Sequence, residues 1–261
     1  MIGKIALQGL LFDAKSSFLT GPAKAPPLIR EAYKSESANY FAEDLTEIRP
    51  DRFQDLGDFK VRDYMEIQDI AARALKNHDR LLTLGGDHSV TYPVLQAFYN
   101  KYGPLDVLHL DAHADLYDSF GGDRHSHACP FARIMEKGLA KRLVQVGIRT
   151  LSQHQWEQAK KYGVEVIQMK QLDMRNLPLF NNALYISVDM DVLDPAFAPG
   201  VSHHEPGGLT IRQLLHILQH VDVPVLGADI VEYNPTRDVH GMTAMVCAKI
   251  LKEIAAKMIS S

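Results

Sequence analysis

Three short stretches of this 261-residue chain gather acidic and imidazole side chains at close spacing: Gly85-Gly86-Asp87-His88-Ser89, Asp111-Ala112-His113-Ala114-Asp115 and Asp189-Met190-Asp191. On extended backbone, residues i and i+2 share a face, so Asp111, His113 and Asp115 point one way, as do Asp189 and Asp191. Carboxylates drawn together out of water must either neutralise or hold cations. Four carboxylates and two imidazoles without a thiolate suit manganese and disfavour structural zinc, which prefers cysteine. Six ligands are too many for one ion that keeps an open position. Two ions about 3.5–4 Å apart, sharing carboxylates, use them all and activate a water. Two divalent cations balance the four aspartates, and a bridging hydroxide then leaves the cluster negative. Glu232, at a further strand end, adds to that charge, so the pocket favours a guanidinium or amine substrate over a phosphate ester.

These groups need elements that bring them together. Apolar runs at 5–11, 80–84, 105–110, 143–148, 164–169, 183–188 and 223–230 read as strands. Helical periodicity lies between them at 64–77, 91–102, 130–137, 152–162, 211–220 and 241–257, with a short helix at 28–33 after the irregular loop 21–27. Strands rich in Val, Ile and Leu without alternation belong to a parallel sheet covered on both faces. Strands alternating with helices predict a three-layer αβα sandwich. The acidic stretches all follow strands, and ligands of open parallel sheets sit beyond the strands' carboxyl ends. A cap or turn explains one such cluster; four at the same edge point to a site.

Composition bounds the rest. At 46% apolar and 23% charged, the chain is an ordinary globular protein, and its length allows one domain spanning 1–261 with a full core. A net charge of −4 argues against nucleic acid as a partner. Cys129 and Cys247 are too few for a disulfide framework and suit a reducing compartment. No apolar run reaches the roughly 18 residues of a membrane span, and the start reads as a strand, not a signal peptide. The expectation is a cytoplasmic protein with no membrane partner.

The motifs GGDHS (85–89), DAHAD (111–115) and SVDMDVLDPAFAPG (187–200) resemble, in order, the three signature segments of the ureohydrolase (arginase/agmatinase) family. The stretches at 16–32, 125–138, 199–210 and 227–238 are most similar to plant-type arginases and their bacterial relatives. The resemblance covers nearly the whole chain. It implies the arginase-like fold, a parallel eight-stranded sheet between helices, and two Mn²⁺ per subunit. His88, Asp111, Asp115 and Asp189 would hold one ion and His113, Asp111, Asp189 and Asp191 the other. The implied reaction is hydroxide attack on the guanidino carbon of arginine or agmatine, giving urea and an amine, with another guanidino or formimidoyl compound such as guanidinobutyrate or formimidoylglutamate as the alternative substrate. Glu232 aligns with the residue that holds the guanidinium, and His127 with a mobile histidine that shuttles protons. Family members are trimers or hexamers, so a homo-oligomer is expected.

Other positions carry competing readings. Tyr117 occupies a position where animal-type arginases place an asparagine for the substrate carboxylate; both agmatinases and plant-type arginases carry an aromatic there. Arg124 either pairs with an α-carboxylate, favouring arginine, or is solvated. His203 and His204 either line the entrance or are surface loop. His109 reads as a packed core residue, His125 as loop surface, Gly85 and Gly86 as tight strand-exit geometry, and Asp194 as a turn. A single-zinc deacetylase relative is disfavoured by the complete six-ligand set. A non-catalytic metal scaffold is disfavoured because neither a ligand nor the proton shuttle is missing.

Overall fold

The computed structural model describes residues 4–260, so the extreme ends of the expected domain (1–3 and 261) lie outside the described residues. Its strands are β1 (Ile5–Leu11), β2 (Phe53–Lys60), β3 (Leu81–Leu84), β4 (Leu105–Leu110), β5 (Ala140–Ile148), β6 (Glu165–Gln168), β7 (Leu184–Asp189) and β8 (Val225–Val231). The helices are α1 (Ala25–Tyr33), α2 (Glu66–Asn77), α3 (Thr91–Tyr102), α4 (Pro130–Glu136), α5 (Gln153–Tyr162), α6 (Ile211–His220) and α7 (Met242–Ser260). All eight strands join one parallel sheet in the order β2-β1-β3-β8-β7-β4-β5-β6.

Two apolar clusters fill its faces. Residues of α1, α6 and α7 pack on one side with Leu82, Leu108 and Ile186. Residues of α2, α3, α4 and α5 pack on the other with Leu81, Val107 and Tyr185. Neighbouring strand residues thus enter opposite layers, and burial on both faces explains the unbroken apolar runs. The three-layer sandwich follows as expected. Seven of the strands match the apolar runs in place; β2 was not anticipated. It is an edge strand whose sequence, FQDLGDFK, leaves only Phe53 buried, so it carries little apolar signal.

The four central strands, β3, β8, β7 and β4, end beside one another. Their ends deliver His88, Glu232, Asp189 and Asp111 to one crevice. Two glycines make that edge possible. A Cβ on Gly86 would stand 1.6 Å from the Phe12 carbonyl oxygen, and the Gly86 carbonyl accepts from the Glu232 N–H at 2.9 Å. Gly147, in an irregularity of β5, has φ +101°; a Cβ there would meet Val192 at 2.6 Å and the Asp111 carbonyl oxygen at 2.9 Å.

Candidate active site

His88 opens a 3₁₀ turn directly after β3, capped by Asp87, which accepts from the Ser89 N–H at 3.1 Å. Its ring is fully buried. Nε2 lies 2.9 Å from Ser187 Oγ, and Ser187 donates its own hydroxyl proton to Asp229 at 2.6 Å. The serine oxygen therefore accepts from His88, which puts the ring proton on Nε2 and leaves Nδ1 as a lone pair. Asp229 is itself fixed by Thr91 and Tyr185, which donate at 2.8 and 2.7 Å. His88 Nδ1 stands 3.1, 3.2 and 3.1 Å from carboxylate oxygens of Asp111, Asp115 and Asp189, yet makes no hydrogen bond.

Such an orphaned buried nitrogen among carboxylates needs an explanation. Spacings near 3 Å are the edge lengths of an octahedron whose ligands stand about 2.1 Å from a central cation. A second group faces it: His113 Nδ1 lies 3.1 Å from Asp191 and 3.4 Å from Asp111. The donor atoms of Asp111, His113 and Asp191 fall within 4.8 Å of one another. The residues present fit metal cations, with Asp111 common to both groups, and oxygen-rich donors with imidazole suit manganese.

Backbone and neighbours aim these carboxylates. Asp111 accepts from the His113 N–H at 2.6 Å and from His109 Nε2 at 2.7 Å. His109 in turn accepts at Nδ1 from Gln145 Nε2 at 2.9 Å, and that amide also donates to the Ala114 carbonyl at 2.6 Å. Both His109 nitrogens are thus engaged, so it supports Asp111 and is not itself a ligand, although it lies within ligand range of His88 and Asp111. Asp189 accepts from the Asp191 N–H at 2.8 Å, and Asp191 from the Ala112 N–H at 3.2 Å. Asp115 and Glu232 adopt left-handed backbone at φ 49° and 62°, a strain of order 1 kcal/mol or more each that clusters at functional sites.

The electrostatics reflect crowding of like charge. Burial, and then the Asp111 charge, push Asp115 up to about 6, while burial and Asp191 raise Asp189 well above the carboxylate range. Burial opposes a charge on His88, but the three aspartates outweigh it and raise its proton affinity far above the usual histidine value. The field that would hold a proton there equally holds a divalent cation. His109, by contrast, is driven down to about 4 by burial and stays neutral.

His127 and Glu232 form the other half. His127 Nδ1 lies 2.8 Å from Glu232 Oε1, which also accepts from the His88 N–H at 2.8 Å. His127 Nε2 accepts from the Ser17 N–H at 3.1 Å and lies 2.7 Å from the Ser17 hydroxyl. Burial pulls the His127 pKa down, but the charge and hydrogen bond of Glu232 override it and lift it to about 9. Glu232 is lowered, its burial outweighed by His127 and the His88 N–H.

A cavity of about 230 Å³ opens over these groups. Of the sequence-predicted residues, His113, Asp115, Tyr117, His127, Asp189, Asp191, His203 and Glu232 line it. His88 and Asp111 lie fully buried beneath. His203 sits between the rings of His113 and His127, each at 5.6 Å, with Phe18 beyond. Arg124 does not line the cavity; its guanidinium pairs with Asp118 and Glu136, each at 2.9 Å. His204 is exposed and bonds the Pro199 carbonyl, and His125 packs against Tyr64 and Tyr92. Sequence reading missed the supporting Ser187, Asp229, Gln145 and Ser17, the role of His109 toward Asp111, and the lining residue Glu205.

Comparison with known proteins agrees with this geometry. Residues 3–256 match the profile of the Arginase family. The chain is 47% identical to "Arginase 1, mitochondrial" of Arabidopsis thaliana, covering 97% of this chain and 80% of that one. It is 46% identical to "Arginase 2, chloroplastic/mitochondrial" of the same plant, over 97% and 80%. The solved structure of arginase from Medicago truncatula superposes with a TM-score of 0.93 at 44% identity, covering 98% of this chain and 88% of that one. The cytoplasmic expectation is withdrawn, because these plant relatives are mitochondrial or chloroplastic by name. With the profile matched almost end to end and the same fold at close identity, the chain belongs to the arginase family and is a ureohydrolase acting on guanidino compounds.

Proposed function

We propose that this protein is a binuclear manganese amidinohydrolase that converts arginine, or alternatively agmatine, to urea and an amine. His88, Asp111, Asp115 and Asp189 would hold one Mn²⁺, and His113, Asp111, Asp189 and Asp191 the other. The observation that carries the reading is His88 Nδ1, orphaned 3.1, 3.2 and 3.1 Å from three carboxylates while Ser187 fixes its tautomer. When bound, the ions supply an acidified, positioned water.

The chain's own residues do the rest. Glu232, buried and anionic at the cavity wall, accepts the N–H groups of a guanidinium and orients its carbon. Water adds to that carbon, the C–N bond to the alkyl chain breaks, and the leaving amine takes a proton. His127, hydrogen-bonded through Nδ1 to Glu232, whose charge raises its proton affinity, is placed to pass a proton to the leaving alkylamine. Ser17 holds its outer nitrogen and connects it to the cavity mouth. With Arg124 occupied elsewhere, no arginine anchor for an α-carboxylate supports arginine over agmatine; similarity to plant arginases does.

The test is urea release by manganese-loaded protein given arginine and agmatine in parallel. Urea from either supports the reading, and Asp111→Asn should then abolish release with loss of at least one metal. No urea from any guanidino compound, or full activity of Asp111→Asn with both ions retained, would overturn it. A trimer or hexamer, inferred from the family resemblance, is checked by light scattering of the same sample.

A further inference from the structure

One carboxylate in the cavity wall has no task in the chemistry above. Glu205 lines the same cavity as Glu232 and is half-buried. Its backbone is held fast, because its carbonyl accepts from Arg149 Nε at 2.9 Å and Nη2 at 2.7 Å. The same Nη2 donates to the Asp191 carbonyl at 2.6 Å, so one guanidinium ties Glu205 to the acidic floor. The Glu205 carboxylate, however, has neither a hydrogen bond nor an ion pair among the described residues.

No lysine or arginine side chain lines the cavity among the described residues, and the Arg149 guanidinium that lies against Glu205 is bonded to its backbone carbonyl and not to its carboxylate. Lys15, outside the cavity lining, pairs with Asp123 at 2.7 Å. Arg149 faces backbone carbonyls, and Arg124 is committed to Asp118 and Glu136. Of the other polar side chains on the walls, Ser17, Tyr117, Thr150 and Gln155 carry no charge and burial lowers the pKa of His203. A substrate that places its guanidinium at Glu232 then meets, on the wall of the same cavity, a carboxylate that no described side chain pairs with. A second cation is attracted there, and an anionic end is repelled.

We propose that Glu205 is a specificity-determining residue that receives an ammonium group at the far end of the substrate. The protein then selects guanidino compounds bearing an amine, such as agmatine or arginine, and discriminates against guanidino acids without one, such as 4-guanidinobutyrate. This rests on the reading that the cavity takes a guanidino compound.

The test compares the wild type with Glu205→Gln on agmatine, arginine and 4-guanidinobutyrate. Glu205→Gln should raise KM for the two amine-bearing compounds about tenfold, equivalent to about 1.4 kcal/mol, while kcat stays within about twofold. KM for 4-guanidinobutyrate should be unchanged or fall. Added salt should narrow the difference between the two proteins, as expected for a screened charge. Calorimetric binding of agmatine and 4-guanidinobutyrate to manganese-loaded protein carrying His127→Ala, with and without Glu205→Gln, reads the same preference with turnover slowed. If no compound yields urea but the calorimetric preference for agmatine falls in Glu205→Gln, the hydrolase reading fails and this one stands. If urea forms, yet Glu205→Gln leaves the preference unchanged or shifts all three compounds alike, the assignment of Glu205 is overturned.

Discussion

Ser187→Ala isolates the support behind His88 from the ligands themselves. The Ser187 side chain is fully buried and touches nothing that reacts; its oxygen accepts from His88 and its proton goes to Asp229. Removing it strands the His88 Nε2–H and takes one donor from Asp229, which keeps Thr91 and Tyr185 on its other oxygen. Leaving one buried donor unpaired costs about 1–3 kcal/mol of folding stability. Losing the group that orients a metal-binding histidine costs about 10–100-fold in metal affinity. The two effects separate in one assay: Mn²⁺ titrated calorimetrically into chelator-stripped protein, with melting followed with and without metal. At a metal concentration about 100 times the wild-type Kd, binding stabilises the wild type by about 2.7 kcal/mol. A 100-fold weaker site under the same conditions gains only about 0.4 kcal/mol. The variant should thus melt lower without metal and recover less with it. Unchanged Mn²⁺ affinity beside a lowered melting temperature would refute the argument and reduce Ser187 to a packing residue.

Two further outcomes are expected. His127→Ala should retain both metals, measured as metal per protein, while urea release slows by about 10²–10⁴-fold as for a lost acid–base group; an unchanged rate removes His127 from proton transfer. Glu43 is held at about 2, chiefly by hydrogen bonds from Arg212 and Gln219. Because its folded pKa lies below the unfolded value of about 4.5, its contribution is complete above that pH and fades as pH falls from about 4.5 to about 2. The pair is partly solvated, so the contribution is at most about 1 kcal/mol; Glu43→Gln should flatten acid unfolding over that window, read by urea denaturation at stepped pH.

The proposed ligands could be picked out from residue order because they follow strands, and local spacing alone gives them a common face. What could not be read depends on which strands are neighbours. Ser187 and Asp229 are register partners across β7 and β8, and that pairing is invisible until the strand order is known. His109 was within reach, since it precedes Asp111 by two residues and shares its face, yet an isolated histidine in an apolar strand looks like core. Arg124 is the reverse case: its charge left a substrate contact open, and the fold brings Asp118 and Glu136 against it instead. Glu205 lay in a loop of turn-forming residues, where only the folded chain reveals a carboxylate left without a partner.

The strand order also governs how the molecule comes to be made. Strands β1 to β3 are contiguous in the sheet, and so are β4 to β7, but the two groups meet only through β8. On the ribosome, which releases the N-terminal parts first, two half-sheets emerge in succession with the edges of β3 and β7 open. Those edges are wholly apolar in burial pattern except for Thr83, Ser187 and Asp189, so they are the adhesive surfaces of an unfinished chain. Insertion of β8 closes both at once and brings His88, from the first half, against the aspartates of the second. Nascent chains stopped before residue 225 hold all six proposed metal ligands but lack the strand that unites the two half-sheets, so the proposed site is completed in a single late step.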